Sequence, residues 1–369
     1  MSPRRRQRLV RWSLPVAAIA LTAGVAGLPN ILPAGADSVP VLPSLTPAEL
    51  LDKVQAAHVG ALSGSVQLST HLGLPDLGSL GVANSGTLLD LLSGTHTAHI
   101  WTSDPEHVRV ALDAPQAESD WIRNGKDVWA WDSRTEHVTH VTVPVSNDTT
   151  VPMNPVDVAH KLLDEIDPST AVSVRTPGYV AGRPVYELVL TPRSTASTIA
   201  AVVVAIDSDT GLPLDVRIEA KSSTAPAIDL RFTSISFDTP SASTFAFTPP
   251  PGSTVTESPS PSALLPVGGH GYRRRLGPDA RALPSGSVDR PGPSVKVVGT
   301  NWDSVAIISG FNIGRQLNGL LTDAPSVSLP SGHARLLTTT LVSVLAFDDG
   351  RIAIAALTPS ALESAMPAS

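Results

Sequence analysis

The sequence predicts a mainly β protein: an antiparallel sheet with too few helices to cover it, followed by a small α/β C-terminal module. Three observations carry this. About ten segments between residues 62 and 237 alternate apolar and polar residues, as half-buried strands do. The connections between them are short, so sequential strands must pair antiparallel. Only two or three segments show helical spacing, too few to cover both faces of such a sheet. The sheet must therefore curl around them or close on itself.

The first 36 residues read as an export leader. Arg4, Arg5, Arg6, Arg8 and Arg11 form a basic region, Leu14 to Leu28 an apolar one, and Ala34-Gly35-Ala36 a small-residue cleavage site before Asp37. The apolar run falls short of the roughly 20 residues a membrane span needs, and an uncleaved anchor is the alternative reading. The whole chain of 369 residues has a net charge of −7. Taking the five leader arginines from it leaves −12 for an exported chain. Such an acidic surface disfavours nucleic acid and anionic membranes. There is no cysteine, which excludes disulfides, thiolate metal sites, a cysteine nucleophile and lipid attachment at a leader cysteine.

Next, Thr46-Pro47-Ala48-Glu49 has the form of a helix start, with a capping threonine, a proline at the first helical position and a glutamate closing a capping box. Leu50, Leu51, Val54 and Ala57 recur at helical spacing, and Val66, Leu68, Thr70 and Leu72 then share one face of a strand. Residues 73–94, rich in Gly, Leu and Ser, read as an apolar flap or short helix. A meander follows, with strands at 96–103, 107–113, 119–123, 127–132 and 137–143, and Asn124-Gly125 as its strongest hairpin signal. Asn154-Pro155 opens a second helix that places Val158, Leu162 and Ile166 on one stripe, and Pro168 ends it. Five more strands occupy 171–176, 185–191, 199–206, 214–221 and 227–237. In the last of these, Ile228, Leu230 and Phe232 are out of phase with Ile235 and Phe237, so a β-bulge near Thr233 is expected.

Residues 257–294 lose apolar periodicity and read as a Pro/Ser/Gly/Arg linker. Beyond it, 295–298, 336–347 and 351–356 read as strands, Asp348-Asp349-Gly350 as a turn and Thr358-Pro359 as a last helix start. A module of about 70 residues buries little core alone and is expected to dock on the first domain.

Several features resolve into ordinary structure. His96 and His99 fall on opposite strand faces, as do His137 and His140, so neither pair suits a metal, and all four read as surface histidines. Gly268-Gly269-His270-Gly271 lies in the linker and is no phosphate loop. No G-x-S-x-G elbow is present to support a hydrolase.

Taken in order, several segments resemble the LolA/RseB superfamily of exported lipid- and lipoprotein-binding proteins. They are Leu62-Ser63-Gly64-Ser65-Val66 after the capped helix, Trp121–Trp129, Val180–Leu190 with Gly182 and Pro184 at its turn, Thr210–Leu214 and Phe245–Gly252. The resemblance covers 37–256. The block Arg335–Arg351 resembles tails of actinobacterial secreted members. It implies a half-open curved antiparallel β-barrel, capped by helices on its concave face, that holds acyl chains of lipid or lipoprotein without catalysis or cofactor. The RseB branch implies the alternative of an envelope-stress sensor acting on a membrane-anchored anti-sigma factor. Cavity candidates are Leu50, Leu51, Val54, Val66, Leu68, Leu72, Ile100, Val108, Val110, Trp121, Trp129, Trp131, Leu162, Ile166, Leu188, Val204, Val216, Leu230 and Phe232. Trp129 and Trp131 share one strand face and Val128 and Ala130 the other, so one pair alone can face a cavity.

Overall fold

The computed structural model describes residues 39–57, 60–74, 93–114, 117–143, 155–164, 166–258, 294–310, 321 and 324–367. The leader, most of the 73–94 segment, the Asn154 cap and all of the linker except residues 257, 258 and 294 lie outside the described residues; Glu257 and Ser294 belong to strands rather than to the linker.

Thr46 caps α1 (Pro47–Ala56) with both halves of the predicted capping box in place. The meander follows as β1 (Leu62–His71), β2 (Ser93–Asp104), β3 (His107–Ala114), β4 (Ala117–Asn124), β5 (Asp127–Asp132) and β6 (His137–Thr142). After α2 (Pro155–Leu163) come β7 (Thr170–Val180), β8 (Arg183–Pro192), β9 (Ile199–Asp207), β10 (Pro213–Ala220), β11 (Ile228–Ser236) and the short β12 (Thr254–Glu257). These strands form one 12-stranded sheet in the order β12-β6-β5-β4-β3-β2-β1-β11-β10-β9-β8-β7. The pairing of β1 with β11 joins the two meanders.

Local chemistry sets the register. Asn124 and Asp127 close a two-residue turn around Gly125, which sits at φ 65°. Val180 pairs with Arg183 across Ala181 (φ 49°) and Gly182 (φ 75°), the positive-φ pair that a hairpin matching strand twist requires. Opposite β1, the register skips Thr233: Ser65 pairs with Ser234 and Val66 with Phe232. This is the expected bulge, and it leaves Ile235 and Phe237 packed against the same core as Phe232.

The sheet curls but does not close, and β12 and β7 are its two edges. Strands four apart in a flat sheet would be about 19 Å from each other, yet β7 and β11 touch. Inside the curl, α1 packs against β7 and α2, while α2 packs against β10 and β11. One pairing departs from the antiparallel expectation: β12 runs parallel to β6. After β11 the chain crosses the outer face of β3 and β4 as a strap, with Phe245 buried beneath it, and reaches the far edge from the other side.

A second, six-stranded sheet contains β13 (Ser294–Val298), β14 (Val305–Ser309), β15 (Ser326–Leu329), β16 (Gly332–Thr338), β17 (Ser343–Phe347) and β18 (Ile352–Ala355), followed by α3 (Pro359–Ala365). The segment 336–347, read from sequence as one strand, is the hairpin β16–β17. Thr339 breaks it, because its side-chain oxygen accepts the N–H groups of Leu341 and Val342 at 3.2 and 2.9 Å.

Candidate functional site

Residues directly opposite each other in neighbouring strands share a face, so the register sorts the candidates. Val66 lies opposite Ala98 and Phe232, Leu68 opposite Leu230, and Leu230 opposite Val216. From Val216 the row continues to Val204 and Leu188. In the other direction Ile100 lies opposite Val110, and Val110 opposite Trp121. All these side chains point into the curl, towards α1 and α2.

Under the helices this concave face is closely packed. Leu50 and Val54 of α1 are buried, and their cluster includes Leu68, Leu188, Val204 and Phe232. Leu51, Leu162 and Ile166 pack at its margin. On α2, Pro155, Val156, Val158 and Ala159 are buried, so Val158 of the predicted stripe is in the core while Leu162 and Ile166 are partly buried against it, and Ile166 lies past the helix end. Val156 and Ala159 were missed although they lie three positions apart, because in a nine-residue helix more than one stripe fits. Gly211, at φ 76°, lets the β9–β10 turn approach α1. A Cβ there would lie 2.8 Å from the Lys53 carbonyl oxygen.

Toward β3–β6 the same face loses its helical cover among the described residues. Val108, Leu112, Trp121, Val128 and Ala130 are half-buried and continue the packed layer, with Arg123 on the same face opposite Val108 and Val128. Leu112 and Val128 belong to this surface and were left out of the candidate set, although the strand alternation placed them on it.

Trp129 and Trp131 do not line it. They lie opposite Ile122 and Asp120, on the outer face. Trp129 stacks on His140 at 3.9 Å between ring centroids and packs against Phe247 of the strap. Nor is His140 a plain surface histidine. Its ring nitrogens lie 2.9 Å from an Asp127 oxygen and 2.7 Å from a Glu257 oxygen, which ties β12 to β5 and β6. Arg109, paired with Asp120, also donates to the Thr244 carbonyl and holds the strap down.

The outer face of β8–β11 is closed by charge. Arg217 bonds Glu187 across β9, and Arg175 reaches Glu219 at 2.6 and 2.7 Å. These pairs arch over the small β9 residues Ala201, Val203 and Ala205, all buried. Asp215, 3% exposed, lies beneath them with its Oδ2 3.0 Å from the Arg217 Nε, and its Oδ1 has no partner. Burial pushes its carboxyl up to about 8, against the pull of Arg217, and the neighbouring Asp229 adds to the rise. The folded state then holds a proton that the unfolded chain gives up near pH 4. This group's contribution is full below the unfolded value and is lost as pH rises toward 8. Asp215→Asn is expected to stabilise the protein at pH 9 by about 1 kcal/mol or more and to change little at pH 5. Urea unfolding at the two pH values reads the difference.

No group of His, Asp and Glu suited to a metal ion occurs among the described residues. Nor is any described helix long and apolar enough to cross a membrane.

Fold and site together define a curled sheet that carries helices on an apolar concave face. No family model and no curated protein matches the chain. Among solved structures it is similar to MucB in complex with MucA(peri), at 14% identity and a TM-score of 0.41, over 87% of this chain and 99% of that one. It is also similar to the Pseudomonas aeruginosa MucA/MucB complex, at 15% identity and a TM-score of 0.39, over 87% and 96% of the two chains. A LolA superfamily protein from Nitrosomonas europaea matches at 10% identity and a TM-score of 0.23, over 55% of this chain and 99% of that one. Scores of this size carry no functional argument, and function has to be reasoned from the chain's own residues.

Proposed function

We propose that this protein binds the acyl chains of a lipid or lipoprotein on its concave face and catalyses no reaction. The observation that supports this is the continuity of that face. A packed apolar layer under α1 and α2 runs into the half-buried Val108, Leu112 and Trp121, and Arg123, opposite both Val108 and Val128, places a positive charge on the same face beside them. A straight apolar chain laid there gains about 0.8 kcal/mol for each methylene removed from water. Such ligands are met in the cell envelope, which agrees with the export leader read at residues 1–36.

The test is titration of the full mature chain with a fluorescent fatty acid. Trp121→Asp is expected to weaken binding at least tenfold, because it puts a charge where the chain would lie. Trp131→Asp, on the outer face, is expected to leave binding unchanged. Equal effects of the two substitutions, or no binding by the unaltered protein, would sink the reading.

A second reading keeps the same ligand face and makes the protein a sensor that acts on a membrane-anchored anti-sigma factor. It is favoured by the second sheet, which touches the concave core through Leu341. Recovery of an anti-sigma ectodomain by the full chain, altered by adding the acyl probe, would distinguish sensor from carrier.

A further inference from the structure

Positive charge is sorted between the two faces of the curled sheet. Arg109, Arg175, Arg217 and Arg231 stand on its outer face, and each is paired with a carboxylate. Along β1 to β6, Arg123 alone puts an arginine or lysine on the concave face among the described residues.

Arg123 is half-buried near the end of β4. Val108 and Val128 lie directly opposite it, and Trp121 is two residues back on the same face. Its Nε donates to the Gly125 carbonyl at 3.1 Å, which fixes the guanidinium beside the β4–β5 turn. Among the described residues no carboxylate pairs with it. The N–H groups of its two η nitrogens are left for another acceptor. Asp132, the acidic residue on this face of β5, is four residues from Val128, about 13 Å along the strand. Its carboxylate takes the N–H groups of Arg134 and Thr135 at 2.9 and 3.0 Å.

A half-buried charge without a partner is disfavoured, and a chain with 33 acidic and 26 basic residues has acids to spare for one. The arrangement around Arg123 has a definite order. The charge stands at the rim, the half-buried Val108 and Trp121 lie beside it, and Val110, opposite Trp121, belongs to the buried cluster under the helices. That is the order of groups in an amphiphile whose anion adjoins an apolar chain.

We propose that Arg123 is a specificity-determining residue of the acyl-binding face: its guanidinium binds the anionic head of the ligand, a carboxylate or a phosphate, while the chain lies along Val108, Trp121 and Leu112. The inference rests on the acyl-binding reading and narrows it to anionic amphiphiles. The planar fork of an arginine matches the paired oxygens of either anion.

The experiment displaces an uncharged fluorescent acyl probe from the full mature chain at about pH 7, where carboxylic acids are ionised. The competitors are a saturated fatty acid, and the alkyl phosphate and alcohol of the same chain length. The unaltered protein is expected to prefer the acid and the phosphate to the alcohol by about tenfold, the size of one charge-assisted contact. Arg123→Gln is expected to abolish that preference and to keep the affinity for the alcohol. Arg123→Lys, which keeps the charge and loses the fork, is expected to retain part of it. Should Arg123→Gln lose its cooperative melting transition, Arg123→Met takes its place. A stronger hold on the phosphate points to a phospholipid and one on the acid to a fatty acid, and either supports the assignment. Displacement by inorganic phosphate alone, equal binding of acid, phosphate and alcohol, or a preference that survives in Arg123→Gln overturns the headgroup site and leaves acyl binding standing. No binding by the unaltered protein removes the acyl-binding reading, and the headgroup site with it.

Discussion

Asp207→Ala is expected to lower the stability of the protein by about 3 kcal/mol, measured as a shift in the urea midpoint at unchanged slope. Asp207 is fully buried at the end of β9 and gathers the β9–β10 turn around one carboxylate. Its Oδ1 accepts the N–H groups of Asp209 and Thr210 at 3.0 and 2.8 Å and the Thr210 hydroxyl at 2.9 Å. Arg183, at the start of β8, bonds both oxygens. Alanine leaves all these donors without their acceptor. Arg183 is partly exposed and also pairs with Asp209, so water and that neighbour recover part of the loss. This places the expected cost at the low end of the range for broken buried pairs.

The same residue has a pH signature opposite to that of Asp215. Burial alone would raise the Asp207 carboxyl, but Arg183 and the Thr210 donors outweigh it and hold the group below its usual range. The stability it contributes is therefore present above the ordinary unfolded value near 4 and is lost as pH falls through the folded one. Asp207→Asn, which keeps an acceptor and loses the charge, is expected to cost less than alanine and to flatten the acid limb.

Gly64→Ala is expected to destabilise by about 3 kcal/mol, the upper part of the range for overpacking, and to lower the thermal midpoint accordingly. Gly64 sits at the β1 bulge. A Cβ there would run into the Ser234 backbone carbonyl and lie 3.1 Å from Phe232 Cδ1 and 3.2 Å from Ile235 Cα. Neither neighbour can easily give way. Phe232 is 1% exposed, and β1 is hydrogen-bonded on both sides, to β2 and β11. Side chains pin the bulge as well: the Thr233 hydroxyl donates to the Ser65 carbonyl, and the Ser234 hydroxyl accepts the Ser65 N–H, each at 3.2 Å. If Gly64→Ala kept the stability of the unaltered chain, the close approach of β11 would not be a constraint on this position.

Much of this was readable along the chain where the causes are local. Thr46 and Glu49 form a capping box because three residues of spacing suffice for it. Asn124-Gly125 makes a hairpin because glycine accepts the positive φ that the turn demands. The phase slip between Phe232 and Ile235 required a bulge, since side chains alternate strictly along a strand. For the same reason alternation grouped Val66 with Leu68 and Leu230 with Phe232, residues that the register places on one face. Alternation grouped Trp129 with Trp131 but was silent on which group faces in. Chain order could not foresee that β12 would return to the far edge beside β6, because the strap that carries it there is held by Arg109, Trp129 and His140 on strands more than a hundred residues away.

By itself, then, the sequence determined the strand count of the meanders, their turns, the capped helix and the residues that must travel together on a face, because these depend on contacts a few residues apart and on the period of the backbone. Only the tertiary structure decided which face became concave, why His140 is locked between two carboxylates, and that Leu341 leaves its own sheet to complete another's core. Those outcomes turn on which surfaces meet when a sheet curls, a condition written in no single segment of the chain.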